Sequence, residues 1–374
     1  MTQPAPLPAA APFWIAYLLI PTVVLAATQG GWMVFLPPLC TLTLFGLLDA
    51  VIGTTKANPD PTADPKRLFW HRLPTLLWAP AQLALMVWLL WYVPQATHLT
   101  WAETLMVAIG LGVLTGTIGI TYSHELMHQK PSHERRLSEA LLAMVLYSRF
   151  RSEHLLVHHP HVGTPRDTVT ARYNENFHRY YRRVMRHGFA SAFRAETAML
   201  ARKGLAWHHR SNPFWRYWAT QALMLALALG LGGWLGLAIF LIQAVVAIWV
   251  LELVNYVEHY GLTRKHLGSG KYEHVQPRHS WNADHRATNW LLINLQRHSD
   301  HHYKPDRRYP LLQTYAETEA PLLPYSYAVM TLIAMSPRHW RRMMNPRVQA
   351  WRARYYPEIT DWKPYNKATT QLPA

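Results

Sequence analysis

The sequence has a single cysteine among its 374 residues, Cys40, and this residue lies inside an apolar run. One thiol excludes an intramolecular disulfide and any zinc ion or iron–sulfur cluster held by cysteines. If the chain carries out redox chemistry, its electrons must therefore come from another protein. A basic segment before the first apolar run is also missing, so we expect no cleavable signal peptide.

Acidic residues are scarce as well, with 21 Asp and Glu against 37 Lys and Arg, which gives a formal charge of +16. Such a balance can indicate a nucleic-acid partner. Here, however, the basic residues flank long apolar runs, and no nucleic-acid-binding motif is present. Lys and Arg in these positions are typical of the cytoplasmic ends of membrane spans, where they contact anionic lipid. We therefore expect membrane lipid, and no nucleic acid, as a partner.

Six apolar runs are each about long enough to cross the roughly 30 Å hydrocarbon core of a bilayer. We predict an all-α integral membrane protein with about six transmembrane helices and a cytoplasmic helical cap that carries a histidine-rich di-iron site. Gly30-Gly31 and Gly232-Gly233 mark two of the turns between spans. The predicted spans are Phe13–Thr28, Trp32–Gly53, Leu76–Val93, Leu105–Tyr122, Tyr217–Leu231 and Trp234–Asn255.

The distribution of charge predicts the orientation. The turns after spans 1, 3 and 5 lack Lys and Arg, whereas the loop after span 2 and the segment after span 4 are basic. The positive-inside rule then predicts that both termini lie in the cytoplasm. We expect the membrane to be the inner membrane of a bacterium. The predicted segments are a disordered N-terminus (1–12), spans 1–4 (13–122), a cytoplasmic histidine segment with interfacial helices (123–216), spans 5 and 6 (217–256), a second cytoplasmic histidine segment (257–345) and a C-terminal tail (346–374).

Two further stretches are expected to be helical outside the spans. Residues 174–204 mix Arg with aromatic and aliphatic residues, which predicts one or two helices on the membrane surface. Residues 321–335 are apolar but short and contain prolines, so we predict an interfacial or buried helix and not a seventh span. Asp49 and Glu252 lie inside spans, where each either pairs with a basic residue or snorkels to the interface.

Four histidine groups carry the chemistry. Neutral imidazole is a common ligand of Zn, Cu, Fe and Ni, and histidines spaced i, i+3 and i+4 share one face of a helix. All four groups follow spans 4 and 6, so the predicted topology brings them to one side of the membrane. Nine imidazoles exceed what one ion can use, and this surplus favours two iron ions. The candidate ligands are His124, His128, His154, His158, His159, His259, His298, His301 and His302.

Other interpretations remain open at this point. His124-Glu125-Leu126-Met127-His128 fits the zinc-protease pattern, in which the glutamate is the base. The middle histidines could instead be solvated, with no metal. Nearby groups could accept or donate a hydrogen bond at the second ring nitrogen of a ligand, or could be surface groups that balance arginines; these are Glu125, Glu153, Glu258, Asp300 and His285. For His161 and His279 we also favour a supporting or surface role.

At these residues the chain resembles the integral-membrane alkane 1-monooxygenase (alkane ω-hydroxylase) family, which is related to the membrane fatty-acid desaturases. The resemblance rests on His124-Glu-Leu-Met-His128, Glu153-His154 with His158-His159, residues 255–262 (Asn-Tyr-Val-Glu-His-Tyr-Gly-Leu) and residues 295–302 (Leu-Gln-Arg-His-Ser-Asp-His-His). It extends to residues 280–282 (Ser-Trp-Asn) and to Asp49 followed by Asn58-Pro59. One departure is residues 155–157 (Leu-Leu-Val), where family members often have a glycine before the paired histidines.

The resemblance implies a non-haem di-iron centre with the nine histidines as ligands, activation of O2, and hydroxylation of the terminal methyl of a medium- or long-chain alkane. It also implies electrons from rubredoxin and an NAD(P)H-rubredoxin reductase. Related alternatives are a fatty-acid desaturase and a xylene-type hydroxylase. We further expect an apolar tunnel between the spans, and a basic cytoplasmic face around residues 135–151 and 297–308 that attracts an acidic electron carrier.

Overall fold

Five helices dominate the computed structural model, which describes residues 7–367. Each of the five is long and apolar enough to cross a membrane by length and composition. We call them the first to fifth apolar helices: Pro8–Gln29, Gly31–Ile52, Lys66–Gln95, Trp101–Met127 and Pro213–His259. Each of the first four overlaps one predicted span. The last two predicted spans both lie within the fifth apolar helix.

The fifth apolar helix is a hairpin of two helices. Its 47 residues are interrupted at Gly233, whose φ of 58° and ψ of −150° are not helical. In a straight helix, residues 228 and 236 would be about 12 Å apart along the axis. Instead, a Cβ on Gly236 would lie 2.7 Å from the carbonyl oxygen of Ala228, so the chain reverses at Gly233. Glycine is required here because a side chain strongly disfavours this φ.

The N-terminal prediction was partly wrong. Of the stretch 1–12 expected to be disordered, residues 1–6 lie outside the described part of the chain, but residues 7–12 are helical. Ala10 is fully buried, and proline near a helix start costs little because its missing N–H would have no helical partner. The predicted boundary at residue 346 was also wrong, because it falls inside a helix that runs from Pro337 to Tyr355.

Helices also account for most of the remaining described residues. The α-helices are α1 (Leu7–Ala10), α2 (Leu19–Gln29), α3 (Leu36–Leu39), α4 (Phe45–Ile52), α5 (Phe69–Tyr92), α6 (Trp101–Leu114), α7 (Ile120–Met127), α8 (Ser132–Ala143), α9 (Arg149–Glu153), α10 (His159–His161), α11 (Phe177–Ala201), α12 (Pro213–His259), α13 (Arg286–Leu291), α14 (His298–Tyr303), α15 (Tyr327–Ala334), α16 (Pro337–Tyr355) and α17 (Lys363–Lys367). A small antiparallel ribbon pairs β1 (His266–Gly268) with β2 (Lys271–Tyr272).

The stretches predicted to be helical outside the spans are helical. Residues 174–204 contain the single helix α11, whose apolar face includes the buried residues Tyr180, Val184 and Ala192. Residues 321–335 contain α15, in which Tyr327 and Met330 are buried. Its eight residues rise only about 12 Å, which is too short to cross a bilayer.

Two close helix contacts position the chemistry. A Cβ on Gly112 would lie 2.7 Å from the Gln243 carbonyl oxygen, and one on Gly116 would lie 2.8 Å from the Ala247 Cα. Glycines at these two positions therefore let the fourth apolar helix pack directly against the second half of the fifth. Since both helices run toward their histidines, this packing brings His124 and His259 to neighbouring helix ends.

The two intramembrane carboxylates are buried and bound internally, so neither prediction for them was right. Asp49 accepts hydrogen bonds from the backbone N–H and the hydroxyl of Thr288. Glu252 accepts from the Tyr147 hydroxyl at 2.7 Å and from the Tyr180 hydroxyl at 3.1 Å. Neutral donors therefore satisfy both carboxylates, which are buried and form no ion pair within residues 7–367.

Candidate metal centre

All nine predicted histidines come together, in two adjacent groups. Within each group, one nitrogen from every ring lies within 4.8 Å of the others. The five-imidazole group consists of His124, His128, His154, His159 and His301. The four-imidazole group consists of His158, His259, His298 and His302. Metal binding by these rings stays a prediction. It requires the rings to lie close together, and they do.

Helix ends supply most of these side chains. His124 lies in the last turn of α7, His128 follows that helix directly, and His259 is the last residue of α12. The short helix α14 carries His298, His301 and His302. His298 and His302 are four residues apart, so they share a helix face, and both belong to the four-imidazole group. His301 belongs to the five-imidazole group, so α14 contributes to both groups.

The middle histidine box depends on a π-helical turn. Residues 154–158 form this turn, and the backbone N–H of His159 bonds to the carbonyl of His154. An α-helix could not align positions i, i+4 and i+5 equally well, since its period is 3.6 residues. The wider turn places His154 and His159 in the five-imidazole group while His158 enters the other. π-Turns inside helices are frequent at functional sites.

The nitrogen separations fit metal ligation. In the five-imidazole group, His154 Nε2 lies 3.0 Å from His128 Nε2 and 2.9 Å from His159 Nε2. In the other group, His298 Nε2 lies 3.1 Å from His259 Nε2 and 3.0 Å from His302 Nε2. Ligands about 2.05 Å from one ion are about 2.9 Å apart at 90° and about 3.35 Å apart at the tetrahedral angle. The two nitrogens of each of these pairs are therefore close enough to bind one ion.

The imidazoles are also in the protonation state that metal ligation needs. Burial, reinforced by the charge of neighbouring imidazoles, holds the pKa of His154, His301 and His302 well below the ordinary histidine value. The same causes lower the pKa of His128, His159 and His298. Neutral rings keep a lone pair for an ion. His158 Nε2 is buried and has no hydrogen-bond partner among the described residues, as expected of a ligand atom.

A supporting carboxylate that sequence reasoning missed is Asp167. Its Oδ2 accepts a hydrogen bond from His158 Nδ1 at 2.9 Å, and both side chains are buried. Burial alone would raise the pKa of Asp167, but the interaction with His158 and hydrogen bonds from Thr170 and the Val169 backbone lower it to about 2. A carboxylate in this position fixes the proton on Nδ1 and leaves Nε2 free to bind metal. This contact could not be predicted from the sequence, because Asp167 lies nine residues after His158 in an irregular loop.

Glu125, one of the predicted supporting carboxylates, is hydrogen-bonded to residues other than the clustered histidines. It accepts from Gln129 Nε2 at 3.0 Å and from the Tyr309 backbone N–H at 3.2 Å. Both oxygens are thus engaged away from the histidines. This arrangement counts against the zinc-protease interpretation, in which this glutamate must reach a metal-bound water as a base.

Glu153 and Asp300 are likewise bound away from the rings. Glu153 pairs with Arg149 and accepts from the Thr168 hydroxyl at 2.6 Å. Asp300 accepts from Arg307 and from Tyr315. Each carboxylate pairs with an arginine, as the alternative interpretation expected, but both are almost fully buried and are not surface charges. They anchor the segments that carry His154 and α14.

The other candidate histidines lie outside both groups. His285 is half-buried, and its Nδ1 has no hydrogen-bond partner among the described residues. His279 is buried and bonds to the Tyr356 hydroxyl at 2.7 Å, and it therefore belongs to the packing of the C-terminal segment. His161 is partly buried and its pKa is lowered, chiefly by that burial.

Glu258 is the one predicted carboxylate beside a ring. Its Oε2 lies 3.3 Å from His298 Nε2, the nitrogen that faces the four-imidazole group. The carboxylate therefore lies on the inner side of the ring and not at the outer nitrogen where we expected it. Its Oε1 is buried without a hydrogen-bond partner among the described residues. An ionised carboxylate in this position would stabilise a cation held by the four imidazoles.

An apolar cavity leads to this site. It is partly open to its surroundings: the centres of water-sized molecules have about 70 Å³ available inside it, and the empty space together with the open mouth is about 910 Å³. Its lining comes from the second and fourth apolar helices, the second half of the fifth, and α15. The residues at its histidine end are His124, His154, His298 and Glu258, and those further along it include Thr41, Thr117, Ile120, Val250, Leu291 and Thr331. Residues 155–157 do not line the cavity, so the departure from the family pattern lies outside it.

A match to a known protein family identifies the class of protein. Residues 99–334 match the family model described as fatty acid desaturase, and this region contains all nine histidines. The chain is thus a membrane protein of the desaturase and hydroxylase type, with histidine clusters able to hold metal. The relatives narrow the class further.

Alkane 1-monooxygenase 2 of Pseudomonas aeruginosa is 40% identical over 332 residues, which cover 87% of each chain. Alkane 1-monooxygenase 1 of the same organism is 37% identical over 83% of each chain. The hydroxylase component of xylene/toluene monooxygenase from Pseudomonas putida is more distant, at 27% identity over 91% of this chain and 90% of its own. The chain belongs to the alkane 1-monooxygenase family, as the histidine motifs indicated.

Proposed function

We propose that this protein hydroxylates the terminal methyl group of medium- or long-chain alkanes to primary alcohols, with O2 as the oxidant and two iron ions held by the nine histidines. The observation that carries the proposal is the apolar cavity that ends at both imidazole groups. The names of the alkane 1-monooxygenase relatives supply the substrate class.

The nine histidines divide into the ligand sets of two ions. Five rings in one group and four in the other exceed what a single ion accommodates, and the family to which the chain belongs supports iron as the metal. Bound iron supplies the O2-derived oxidant that an inert C–H bond requires and that no amino-acid side chain provides. One oxygen atom enters the C–H bond and the other leaves as water, at a cost of two electrons and two protons.

The chain's own residues bind and orient the substrate. The cavity walls are mainly aliphatic and aromatic side chains, with several threonines among them, and this lining suits a linear hydrocarbon. The apolar lining holds the chain and presents one end to His124, His154 and His298 at the histidine end of the cavity. Terminal attack follows from this alignment, because internal carbons stay further along the cavity.

Electrons must arrive from outside, since the single cysteine excludes a cysteine-ligated iron–sulfur cluster. We assign the donor role to rubredoxin, reduced by an NAD(P)H-rubredoxin reductase, on the basis of the family resemblance. We further place the protein in the bacterial inner membrane with six crossings, counting the two halves of the fifth apolar helix, and with both termini and the histidines on the cytoplasmic side. The basic loops support this orientation.

A fatty-acid desaturase is the second candidate, because the matching family model carries that description. Product analysis separates the two. Purified protein with iron, rubredoxin, its reductase and NAD(P)H is given octane, hexadecane, a saturated acyl substrate or xylene, and products are identified by gas chromatography with mass spectrometry. We expect 1-octanol or 1-hexadecanol. An unsaturated acyl product would establish a desaturase, and a benzylic alcohol as the main product would establish the xylene-type activity.

A further inference from the structure

A wide cleft outside the apolar cavity also reaches the clustered histidines. It is lined by residues 61–63, residues 128–131, Lys304, residues 306–308 and Leu311. We call it the His128 cleft, because His128 is the one clustered histidine in its lining. The centres of water-sized molecules have about 510 Å³ available in this cleft, against about 70 Å³ in the apolar cavity. Since a water molecule occupies about 30 Å³ in the liquid, the cleft has room for a hydrated ion.

The cleft and the cavity also differ in polarity. The cavity is lined mainly by aliphatic and aromatic side chains and lies among the apolar helices. An ion without its water shell is strongly disfavoured there, because an unpaired charge costs far more to bury than a neutral polar group. Lysine, arginine, aspartate and glutamine side chains contribute to the lining of the His128 cleft. Iron that arrives from water therefore reaches the histidines more easily by the cleft.

The two imidazole groups differ in their access to solvent. All four rings of the four-imidazole group are buried, and Asp167 holds His158 by a hydrogen bond at its outer nitrogen. In the five-imidazole group, His128 and His159 are partly exposed. Of these two rings, His128 lines the cleft and His159 does not. An ion in the cleft therefore meets the five-imidazole group first.

The His128 ring is weakly tied to the rest of the protein. It lies in the turn between α7 and α8, after the last helical residue of α7. Its contacts with other rings are all with clustered histidines, namely His124, His154, His159 and His301. Within the described residues, its ring is hydrogen-bonded to His154 alone. The ring can therefore turn toward the cleft without breaking a helix or a bond to the surrounding fold.

We infer that iron enters and leaves the centre through the His128 cleft, and that His128 is the first ligand an arriving ion meets. The inference rests on the proposed function, which requires two irons. Its consequence is that the two ions exchange with solution at different rates. The ion of the five-imidazole group exchanges through the cleft, whereas the ion of the four-imidazole group must wait for a local opening of the fold.

Charge at the cleft affects the speed of this exchange. Arg307 and Arg308 are each paired with a buried carboxylate, so their charges are largely compensated. Lys130 and Lys304 are exposed and form no ion pair within residues 7–367. These two ammonium groups repel Fe2+ and should slow its passage through the cleft.

Isotope exchange tests the inference, because Mössbauer spectroscopy detects one isotope of iron. Full-length protein is loaded with iron that lacks this isotope and is then incubated, without O2, with an excess of the detectable isotope as Fe2+. We expect one iron environment to appear about tenfold or more faster than the second. It should be the environment that His302→Ala retains. Simultaneous appearance of both environments, or appearance of the other one first, would overturn the inference. Wild-type protein that holds fewer than two irons would contradict the proposed function instead.

A label in the cleft tests the route itself. Ala63→Cys in a Cys40→Ser background is loaded with iron and then labelled with a bulky neutral maleimide, which fills part of the cleft. Exchange of the first ion should then fall to the rate of the second. The same label at Arg182→Cys, on the exposed side of α11, should leave both rates unchanged. Wild-type exchange in the protein labelled at residue 63 would exclude the cleft as the route.

Charge reversal tests the role of the two lysines. Lys130→Glu with Lys304→Glu should speed Fe2+ uptake by metal-free protein about tenfold at low salt, because repulsion becomes attraction. The difference should shrink near about 0.5 M salt, where screening is strong. A matched control, Arg182→Glu with Arg186→Glu, reverses two exposed charges on α11 and should keep the wild-type rate. Uptake at the wild-type rate in the lysine variant would also overturn entry through the cleft.

Discussion

Replacing Asp167 with asparagine tests how the four-imidazole group holds its ion. The Asp167 Oδ1 accepts from the Val169 backbone N–H at 3.0 Å. Its Oδ2 accepts from His158 Nδ1 at 2.9 Å and from the Thr170 hydroxyl at 2.6 Å. In the Asn variant, the orientation that keeps the carbonyl oxygen on the Val169 N–H turns the amide NH2 toward His158 Nδ1. That amide donates, and the imidazole proton is driven to Nε2, where it blocks ligation.

The expected loss is selective and can be estimated. Changes to groups that orient metal-binding histidines lower metal affinity by about 10- to 100-fold, or about 1.4–2.8 kcal/mol. Because His158 belongs to the four-imidazole group, the other ion should be retained. Equilibrium dialysis of the purified Asp167→Asn variant against a graded iron chelator should yield a plateau of one iron per chain. Wild-type protein should hold two irons over the same range.

The control is Asp361→Asn, the same chemical change at an exposed carboxylate, which should leave iron binding unchanged. The reasoning is refuted if the Asp167→Asn variant retains both irons as tightly as the wild type does. Parallel loss of both irons would also refute it, since the two groups would then not act separately.

Three further predictions follow from the same site. Glu258→Gln removes the carboxylate beside His298 and should weaken iron binding at the four-imidazole group by about tenfold or more, as measured by the same dialysis; unchanged affinity would show that the charge is unimportant. Thr117→Phe fills part of the cavity and should reduce hexadecane turnover more than octane turnover in product assays; an equal effect on both would place Thr117 off the substrate path. Metal-free protein should lose stability as the pH falls below about 6.5, because rings such as His154 and His301 have depressed pKa values when folded while the unfolded chain takes up protons. The loss is about 1.4 kcal/mol per such ring for each pH unit, and an unfolding midpoint equal at pH 7.5 and 5.5 would contradict it.

Much of the fold could be predicted because membrane helices have a strong sequence signal. Long apolar runs and their basic flanks predicted all five apolar helices, and Gly232-Gly233 predicted the reversal at residue 233. The helical start at residues 7–12 was missed, because proline and alanine fit both a disordered segment and the first turn of a buried helix. The π-turn at residues 154–158 could not be foreseen from an α-helical period.

The histidines were predictable and their supporting groups were not. Ligand spacing is local, so i, i+3 and i+4 patterns are visible in one sequence. Hydrogen-bond partners depend on where loops fold back. Asp167 therefore has the supporting role that the sequence left open for Glu125, Glu153, Glu258 and Asp300. The arginine partners of the buried carboxylates Glu153 and Asp300 likewise depend on tertiary contacts.

The most direct test of the central claim is the iron content of purified full-length protein that converts octane to 1-octanol, read together with its Mössbauer spectrum. We predict two non-haem irons per chain in distinct nitrogen-rich environments, with loss of one environment when a four-imidazole histidine such as His302 is replaced. A protein that is fully active without iron, or that binds a single ion shared by both histidine groups, would contradict this account.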